Sequence, residues 1–176
     1  MIFTETKLPG AFLVEPEYSR DERGFFARTW CQREFAAHGL EPRLAQCSVS
    51  LNLRRGTLRG MHYQVLPGPE VKLVRCTQGA LYDVILDLRP DSAAFRQWAA
   101  FELDARNRRS LCIPAGCAHG FQTLLDETEV FYQISEFYAP ELARGARWND
   151  PAFQIEWPLA DPILSERDRT WPDFEA

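Results

Sequence analysis

Short apolar runs rich in β-branched and aromatic residues, separated at short intervals by glycine or proline, dominate the middle of this 176-residue chain. Two of them, 73–77 and 80–88, flank Gly79 and predict a β-hairpin. Further strands are predicted at 110–113, 120–125 and 129–137. Regularly spaced short strands with Gly and Pro turns are typical of a sandwich or barrel, so we expect an all-β fold.

Helical periodicity is weak in the rest of the chain. The segment Cys31 to His38 predicts two helical turns, with Gly39 as the C-cap. A second short helix is expected after Pro162. The C-terminal stretch is otherwise too rich in proline for a regular element.

Length and composition indicate one packed domain spanning residues 1–176, since 45% of the residues are hydrophobic. The formal net charge of -5 offers no electrostatic attraction to nucleic acid or to an anionic membrane. The N-terminus has no basic segment leading into a long apolar run, and no run approaches the length of a membrane span. We therefore expect a cytoplasmic protein with neither nucleic acid nor membrane as partner.

The cysteine and histidine counts argue against a metal site. Five cysteines are scattered without a CxxC pair, which predicts reduced and mostly buried thiols. The chain has three histidines and no HxH motif, so a histidine-rich metal site is nearly excluded. His38, beside Gly39, is expected at the surface.

His62 is the first candidate for chemistry. A lone histidine in an apolar strand is ordinarily a core residue. Here Gln64 shares its strand face, because side chains two apart in a strand point the same way, and Arg59 precedes it by three residues. A row of polar side chains that points into a barrel needs a ligand to offset the free-energy cost of burying polar groups.

Other polar residues are individually ambiguous. Arg23 and Arg59 could bind a phosphate through bidentate guanidinium contacts. Lys72 at a strand start would ordinarily face water, and Tyr132 would ordinarily be a core aromatic. Asp168 would pass for an acidic residue at a helix start.

Seven runs in this order resemble the dTDP-4-dehydrorhamnose 3,5-epimerase family: DERGFF (21–26), GTLRGMHYQ (56–64), VKLVRCTQGALYDVILDLR (71–89), IPAGCAHGF (113–121), FYQ (131–133), WNDP (148–151) and LSERD (164–168). The resemblance implies a cupin-type jelly-roll barrel, that is, a double-stranded β-helix, with a few short helices. It also implies a homodimer that exchanges strands and a nucleotide-diphosphate 4-keto-6-deoxyhexose bound in the barrel, without cofactor or metal.

The family resemblance also implies residue roles. His62 matches the proton acceptor, Asp168 its hydrogen-bonded partner, Lys72 the group that stabilises the enolate, and Tyr132 the proton donor. The positions expected to contact substrate are Arg23, Phe26, Gln46, Ser48, Arg59, His119, Tyr138 and Arg167, with Asp83 supporting His119 from behind. The implied reaction converts dTDP-4-dehydro-6-deoxy-D-glucose to dTDP-4-dehydro-L-rhamnose.

These residue types suit that chemistry. A ketone acidifies the hydrogens on both neighbouring carbons, so a base near neutral pKa can remove one if a cation stabilises the developing oxyanion. Inversion then requires a proton from the opposite face, which one base cannot reach. A second group is therefore needed, and the phenol of Tyr132 is the candidate.

Four positions depart from the family pattern: Arg28, Ser48, Gln133 and Ala143, the last with Glu141 close by. Because the first two stand where members read the nucleotide, a single-centre epimerase acting on a CDP- or GDP-sugar is an alternative. A non-catalytic cupin that binds a sugar nucleotide, a metal-dependent cupin and a 3,4-ketoisomerase are the others.

Overall fold

The computed structural model describes residues 1–174, which contain thirteen strands and two short helices. The strands are β1 (Ile2–Glu5), β2 (Phe12–Glu15), β3 (Tyr18–Asp21), β4 (Gly24–Ala27), β5 (Gln46–Asn52), β6 (Leu58–Gln64), β7 (Lys72–Gln78), β8 (Ala80–Asp87), β9 (Trp98–Asp104), β10 (Ser110–Ile113), β11 (Cys117–Thr123), β12 (Thr128–Ile134) and β13 (Ala143–Gly145). The helices are α1 (Gln32–Ala37) and α2 (Glu166–Arg169).

Two antiparallel sheets pack against each other. One has the strand order β1-β2-β10-β7-β12-β5 and the other the order β13-β6-β11-β8-β9. The strands β3 and β4 form a separate two-stranded hairpin. Consecutive strands repeatedly switch between the two sheets, as in a jelly roll, and the all-β prediction is confirmed.

The core lies between the sheets and follows the two-residue period of the strands. On β8, Leu81 and Ile85 point into the core, and Asp83 lies between them on the same face. The alternate residues Val84 and Leu86 point outward. Burial on both faces explains why β8 reads as a nearly continuous apolar run.

Each outer face is covered in part by other segments. The C-terminal segment packs Phe153 onto the outward side chains of β6 and β8, including Met61. On the other sheet, α1 buries Phe35 against Leu73 and Cys112. Both sheets therefore bury apolar side chains on part of the outer face as well as on the inner face.

The predicted elements agree with the structure in position and differ at their ends. The two strands predicted around Gly79 are present as β7 and β8, and Gly79 has a φ of +77° that favours glycine. The predicted hairpin is wrong, because β7 pairs with β10 and β12 in one sheet whereas β8 pairs with β9 and β11 in the other, so the turn at Gly79 carries the chain between sheets. The strand 110–113 and helix α1 are confirmed. The strand predicted at 120–125 begins earlier, at Cys117, directly after the turn at Gly116. The strand predicted at 129–137 ends at Ile134, and the amide of Phe137 bonds to the side chain of Glu136 instead of to a neighbouring strand.

The second helix begins later than predicted. Ile163 pairs with Thr57 in an isolated bridge, and Ser165 caps the helix by accepting a hydrogen bond from the amide of Asp168. Regular structure after Trp157 is otherwise as sparse as the prolines predict. Across residues 1–174, no helix has both the length and the apolar character needed to span a membrane.

Candidate active site

A cavity of about 480 Å³ opens between the inner faces of the two sheets. This volume is typical of small-molecule sites. Its lining comes from both sheets and from the loops beside them: Gln46, Ser48, Ser50, Arg59, His62, Tyr63, Gln64, Glu70, Lys72, His119, Phe121, Tyr132, Ile134, Tyr138, Ala143, Arg144 and Arg167. Most of the side chains predicted to contact substrate therefore share one cavity.

The strands β6 and β11 approach closely beside this cavity, which places His62 opposite His119 in the antiparallel register. A Cβ atom at Gly60 would lie 2.5 Å from the Cα of Gly120, so only glycine allows this approach. Gly60 also has a φ of +141°, which an L side chain rarely adopts. The glycines in the two motifs thus bring the two histidines together.

His62 is hydrogen-bonded to Asp168, with 2.6 Å between Nε2 and Oδ1. The His62 side chain is 40% exposed, whereas that of Asp168 is 5% exposed. Burial alone would raise the pKa of Asp168, but the hydrogen bond and charge interaction with His62 outweigh it and lower the pKa below its ordinary value. An ionised Asp168 accepts the proton on Nε2, which leaves Nδ1 of His62 as the basic nitrogen.

His119 makes a similar pair with Asp83. Its Nε2 contacts Oδ1 of Asp83 on the neighbouring strand β8, and both side chains are buried. The other carboxylate oxygen of Asp83 is buried without a hydrogen-bond partner among residues 1–174. The predicted proximity of Asp83 to His119 is present in the structure.

Lys72 lies inside the cavity, so the ordinary expectation that it faces water is wrong. Its side chain follows the inward face of β7 together with Val74 and Cys76 and is 11% exposed. The ammonium donates a hydrogen bond of 3.2 Å to the backbone carbonyl of His62. It also pairs with Glu70, with 2.8 Å between Nζ and Oε1.

The phenol of Tyr132 is a further acidic group that lines the cavity. Burial raises its pKa above the ordinary value, only partly offset by the hydroxyl of Ser50, which lies 3.3 Å from the phenol oxygen. The phenol is therefore protonated at neutral pH. Its ring lies edge-on to His119, with the ring centres 6.4 Å apart.

The remaining binding residues extend from the same cavity. Gln46 and Ser48 line it from β5, and Gln46 accepts a hydrogen bond from the amide of Tyr138. Arg59 is oriented by a 2.7 Å hydrogen bond to Asn52. Arg167 on α2 stacks over Trp171, with 5.0 Å from the guanidinium carbon to the ring centre.

Two predicted binding residues lie away from the cavity of their own chain. Arg23 and Phe26 belong to the β3–β4 hairpin. The Arg23 side chain is 84% exposed and pairs with Asp21, and Phe26 is 77% exposed. Arg28, which departs from the family pattern, forms an ion pair with Glu34 on α1.

Several lining residues were not predicted: Ser50, Tyr63, Glu70 and Arg144. Ser50 had a signal, because Gln46, Ser48 and Ser50 alternate with Cys47, Val49 and Leu51 along β5. Glu70 had none, since it follows a Pro-Gly-Pro run that indicates only a turn.

The thiols and possible metal ligands were also located. Over the described residues, no three His, Cys, Asp or Glu side chains gather into a group that could hold a metal ion. Cys31 is half-buried and Cys47 exposed. Burial raises the pKa to about 12 for the other three thiols, those of Cys76, Cys112 and Cys117.

Comparison with known proteins gives consistent matches. The sequence profile of the dTDP-4-dehydrorhamnose 3,5-epimerase family matches residues 5–176. The dTDP-4-dehydrorhamnose 3,5-epimerase of Pseudomonas aeruginosa is 45% identical over 173 residues, covering 97% of this chain and 94% of that protein. Such identity over nearly the full length of both proteins establishes a common family.

Solved structures agree with the sequence matches. The Bacillus anthracis dTDP-4-dehydrorhamnose 3,5-epimerase with TDP and PPi bound has a TM-score of 0.94 and 41% identity, covering 98% of this chain and 99% of that one. The Legionella pneumophila dTDP-6-deoxy-D-glucose-3,5-epimerase, in complex with dTDP-4-keto-L-rhamnose, has a TM-score of 0.88 and 33% identity, covering 95% and 89%. The chain therefore belongs to the dTDP-4-dehydrorhamnose 3,5-epimerase family of isomerases, whose cupin jelly-roll fold it shares.

Proposed function

We propose that this chain binds dTDP-4-dehydro-6-deoxy-D-glucose in the cavity and inverts C3 and C5, giving dTDP-4-dehydro-L-rhamnose. The observation that carries the proposal is the 2.6 Å His62–Asp168 pair, which opens on the same cavity as Lys72 and Tyr132. The names of the relatives also favour a 3,5-epimerase over the single-centre and non-catalytic alternatives.

His62 acts as the base. The substrate carries its ketone at C4, so the hydrogens on C3 and C5 are both acidified. Nδ1 of His62 takes one of them while Nε2 remains bonded to Asp168. The imidazolium that forms is stabilised by the carboxylate 2.6 Å away, which lowers the barrier to proton removal.

Lys72 stabilises the enolate. An ammonium has three N–H donors, and two of those on Lys72 are directed to Glu70 and to the carbonyl of His62. The third is left for the oxygen that gains charge when a proton leaves the neighbouring carbon. A donor held in a fixed position stabilises such an oxyanion without the reorientation that water molecules need.

Tyr132 returns the proton on the other face. Its raised pKa keeps the phenol protonated, so it can donate to the carbanionic carbon from the side opposite His62. Proton removal by one group and return by the other produces inversion. Solvent then takes the proton from His62 and reprotonates the phenolate of Tyr132, so that repetition at the second carbon flanking the ketone gives the doubly inverted product.

Three arginines that line the cavity bind the diphosphate of the substrate: Arg59, Arg144 and Arg167. Guanidinium groups match phosphate oxygens in bidentate geometry. Together with the neutral side chains of β5, they hold the nucleotide so that the sugar reaches His62.

We further propose that the enzyme is a homodimer in which the β3–β4 hairpin reaches the cavity of the second copy. An isolated two-stranded hairpin is marginally stable in water, and this one exposes Phe26. The edge strand β5 exposes Val49 and Leu51 on its outer face, a surface suited to pairing with another chain. The hairpin would then deliver Arg23 and Phe26 to substrate.

Light scattering tests the mass, which should be about 41 kDa, twice the 20.3 kDa of one chain. Co-expression of differently tagged Arg23→Ala and His62→Ala chains tests the shared site. Each variant alone should be inactive, whereas the mixture should regain about a quarter of wild-type activity, because half of the dimers carry one intact site. A monomer, or a mixture as inactive as its parents, would contradict this arrangement.

The proposed reaction is tested by incubating the protein with dTDP-4-dehydro-6-deoxy-D-glucose in heavy water and following both carbons by NMR. Deuterium should enter at C3 and C5 with inversion at each. Inversion at one carbon alone would indicate a single-centre epimerase. Binding without deuterium uptake would indicate a non-catalytic cupin.

A further inference from the structure

Of the positively charged side chains that line the cavity, only one is paired with a carboxylate of the residues that the structure describes. Arg59, Lys72, Arg144 and Arg167 line it, and Glu70 is the one carboxylate among the lining residues that the structure describes. Glu70 pairs with Lys72 and with none of the arginines. Within residues 1–174 the three arginines have no carboxylate within ion-pair distance.

Glu70 is held in place from both sides. The side chain of Gln64 donates a hydrogen bond to the carbonyl of Gly68, two residues before it. The amide of Val71, directly after it, donates to the hydroxyl of Ser135, and the amide of Ser135 donates back to the carbonyl of Val71. With its own side chain only 10% exposed, the carboxylate is a built part of the cavity wall.

This pairing matters because the substrate carries a diphosphate. A lone ammonium is a strong phosphate binder, since it is a compact point charge with three donors. An unpaired Lys72 would attract phosphate oxygens into the part of the cavity where the sugar must react. The pair with Glu70 cancels the net charge there and leaves one N–H for a single oxygen.

We infer that Glu70 is a specificity-determining and positioning residue, which prevents phosphate from binding at Lys72 and keeps that ammonium for the ketone oxygen of the sugar. This inference rests on the proposed function, because it assumes that Lys72 faces the sugar. The uncompensated arginines then form the phosphate subsite, and the compensated lysine serves the reacting centre.

Inorganic phosphate tests the inference without turnover. When dTDP saturates the arginines, phosphate titrated calorimetrically should bind Glu70→Gln at least about tenfold more tightly than wild type, because Lys72 has lost its counter-charge. Glu136→Gln is the matched control, since this carboxylate lies outside the cavity lining and an amide preserves its bond to the amide of Phe137. It should bind phosphate as weakly as wild type.

A second substitution identifies the anchor. The double variant Glu70→Gln/Lys72→Gln should lose the phosphate binding that Glu70→Gln gained. With substrate, Glu70→Gln should lower kcat about tenfold without raising KM, because the added affinity is non-productive. A Glu70→Asp variant, which keeps the charge, should recover part of kcat.

Two results would overturn the inference. One is equal phosphate affinity in wild type and Glu70→Gln. The other is tight binding of phosphate to dTDP-saturated wild type that is lost in Lys72→Gln. This second result does not depend on whether a Glu70 variant folds. If Glu70→Gln binds phosphate more tightly than wild type but wild type takes up no deuterium, the proposed reaction is wrong and the role of Glu70 in excluding phosphate from Lys72 is supported. If wild type takes up deuterium and the two proteins bind phosphate equally, only the proposed role of Glu70 is wrong.

Discussion

Replacing Asp168 by asparagine removes the negative charge that His62 contacts while preserving the size of the side chain. The hydrogen bond joining them is 2.6 Å long and one partner is nearly buried, so little water is available to replace the lost charge. The amide can also donate a proton to Nε2 of His62. That would place the imidazole proton on Nδ1 and remove the lone pair that takes the substrate proton.

The expected loss follows from the geometry of the pair. Two unit charges about 4 Å apart interact by about 4 kcal/mol at an effective dielectric constant of about 20. Because His62 is 40% exposed, solvent screening reduces this to about 2 kcal/mol. This stabilisation of the imidazolium corresponds to about 30-fold in kcat, and the tautomer change should add about another tenfold or more.

The assay compares kcat and KM of wild type and Asp168→Asn by NMR of the epimerised product. KM should change less than about threefold, because the charge acts mainly on the transition state. Asp150→Asn is the matched control, because Asp150 is also a buried carboxylate but lies outside the cavity lining. It accepts hydrogen bonds from the backbone amides of Ala152 and Phe174. The Asp150→Asn variant should lose stability and keep kcat. A folded Asp168→Asn enzyme with kcat within threefold of wild type would show that the charge of Asp168 does not assist His62.

Three further predictions concern the stability and reactivity of the fold. Gly60→Ala should lower the free energy of unfolding in urea by several kcal/mol or prevent folding, because its Cβ would overlap the backbone of Gly120. The control Gly39→Ala, with open space around the new Cβ, should lower it by only about 1 kcal/mol, and equal losses in the two variants would contradict the prediction. The pKa of Asp168 is lower in the folded protein than its ordinary value of 3.8, so its ionised form stabilises the fold fully above about pH 4 and this contribution is lost as the pH falls through the folded-state pKa. The stability difference between wild type and Asp168→Asn should therefore shrink below about pH 4 in denaturation measurements, and a difference that grows there would contradict the ion pair. In the folded protein, iodoacetamide at pH 8 should not label the buried thiols of Cys76, Cys112 and Cys117 until urea is added, as mass spectrometry can show. Rapid labelling of any of the three in the folded protein would contradict their burial.

Features that depend on local pattern were predictable from sequence. The two strands that flank Gly79 and the strand 110–113 have clear turn residues at their ends, and all three are present. The pairing of β7 and β8 as a hairpin was predicted wrongly, because each strand finds its partners in a different sheet and those partners are distant in sequence. The short strands β1 to β4 were not predicted, because a four-residue segment carries too little periodicity to stand out unless, like 110–113, it ends at a clear turn. The jelly roll itself came from the resemblance, whereas composition and spacing indicated only a sandwich or barrel.

The candidate site divides in the same way. The resemblance placed His62, Lys72 and Tyr132 together, and the structure brings all three to one cavity. Burial of Lys72 follows from the two-residue period of β7, which aligns it with Val74 on the inner face. Glu70 was not predictable, because its position depends on a bond between Val71 and Ser135, 64 residues apart in sequence.

Inversion requires His62 on one face of the substrate and Tyr132 on the other, and Tyr132→Phe separates the two roles. Phenylalanine preserves the ring and removes the proton donor, so His62 can still exchange the substrate hydrogen with solvent. In heavy water, NMR should show deuterium entering beside the ketone with retained configuration, and inversion should be lost. Inversion by Tyr132→Phe at a rate near that of wild type would show that Tyr132 is not the proton donor.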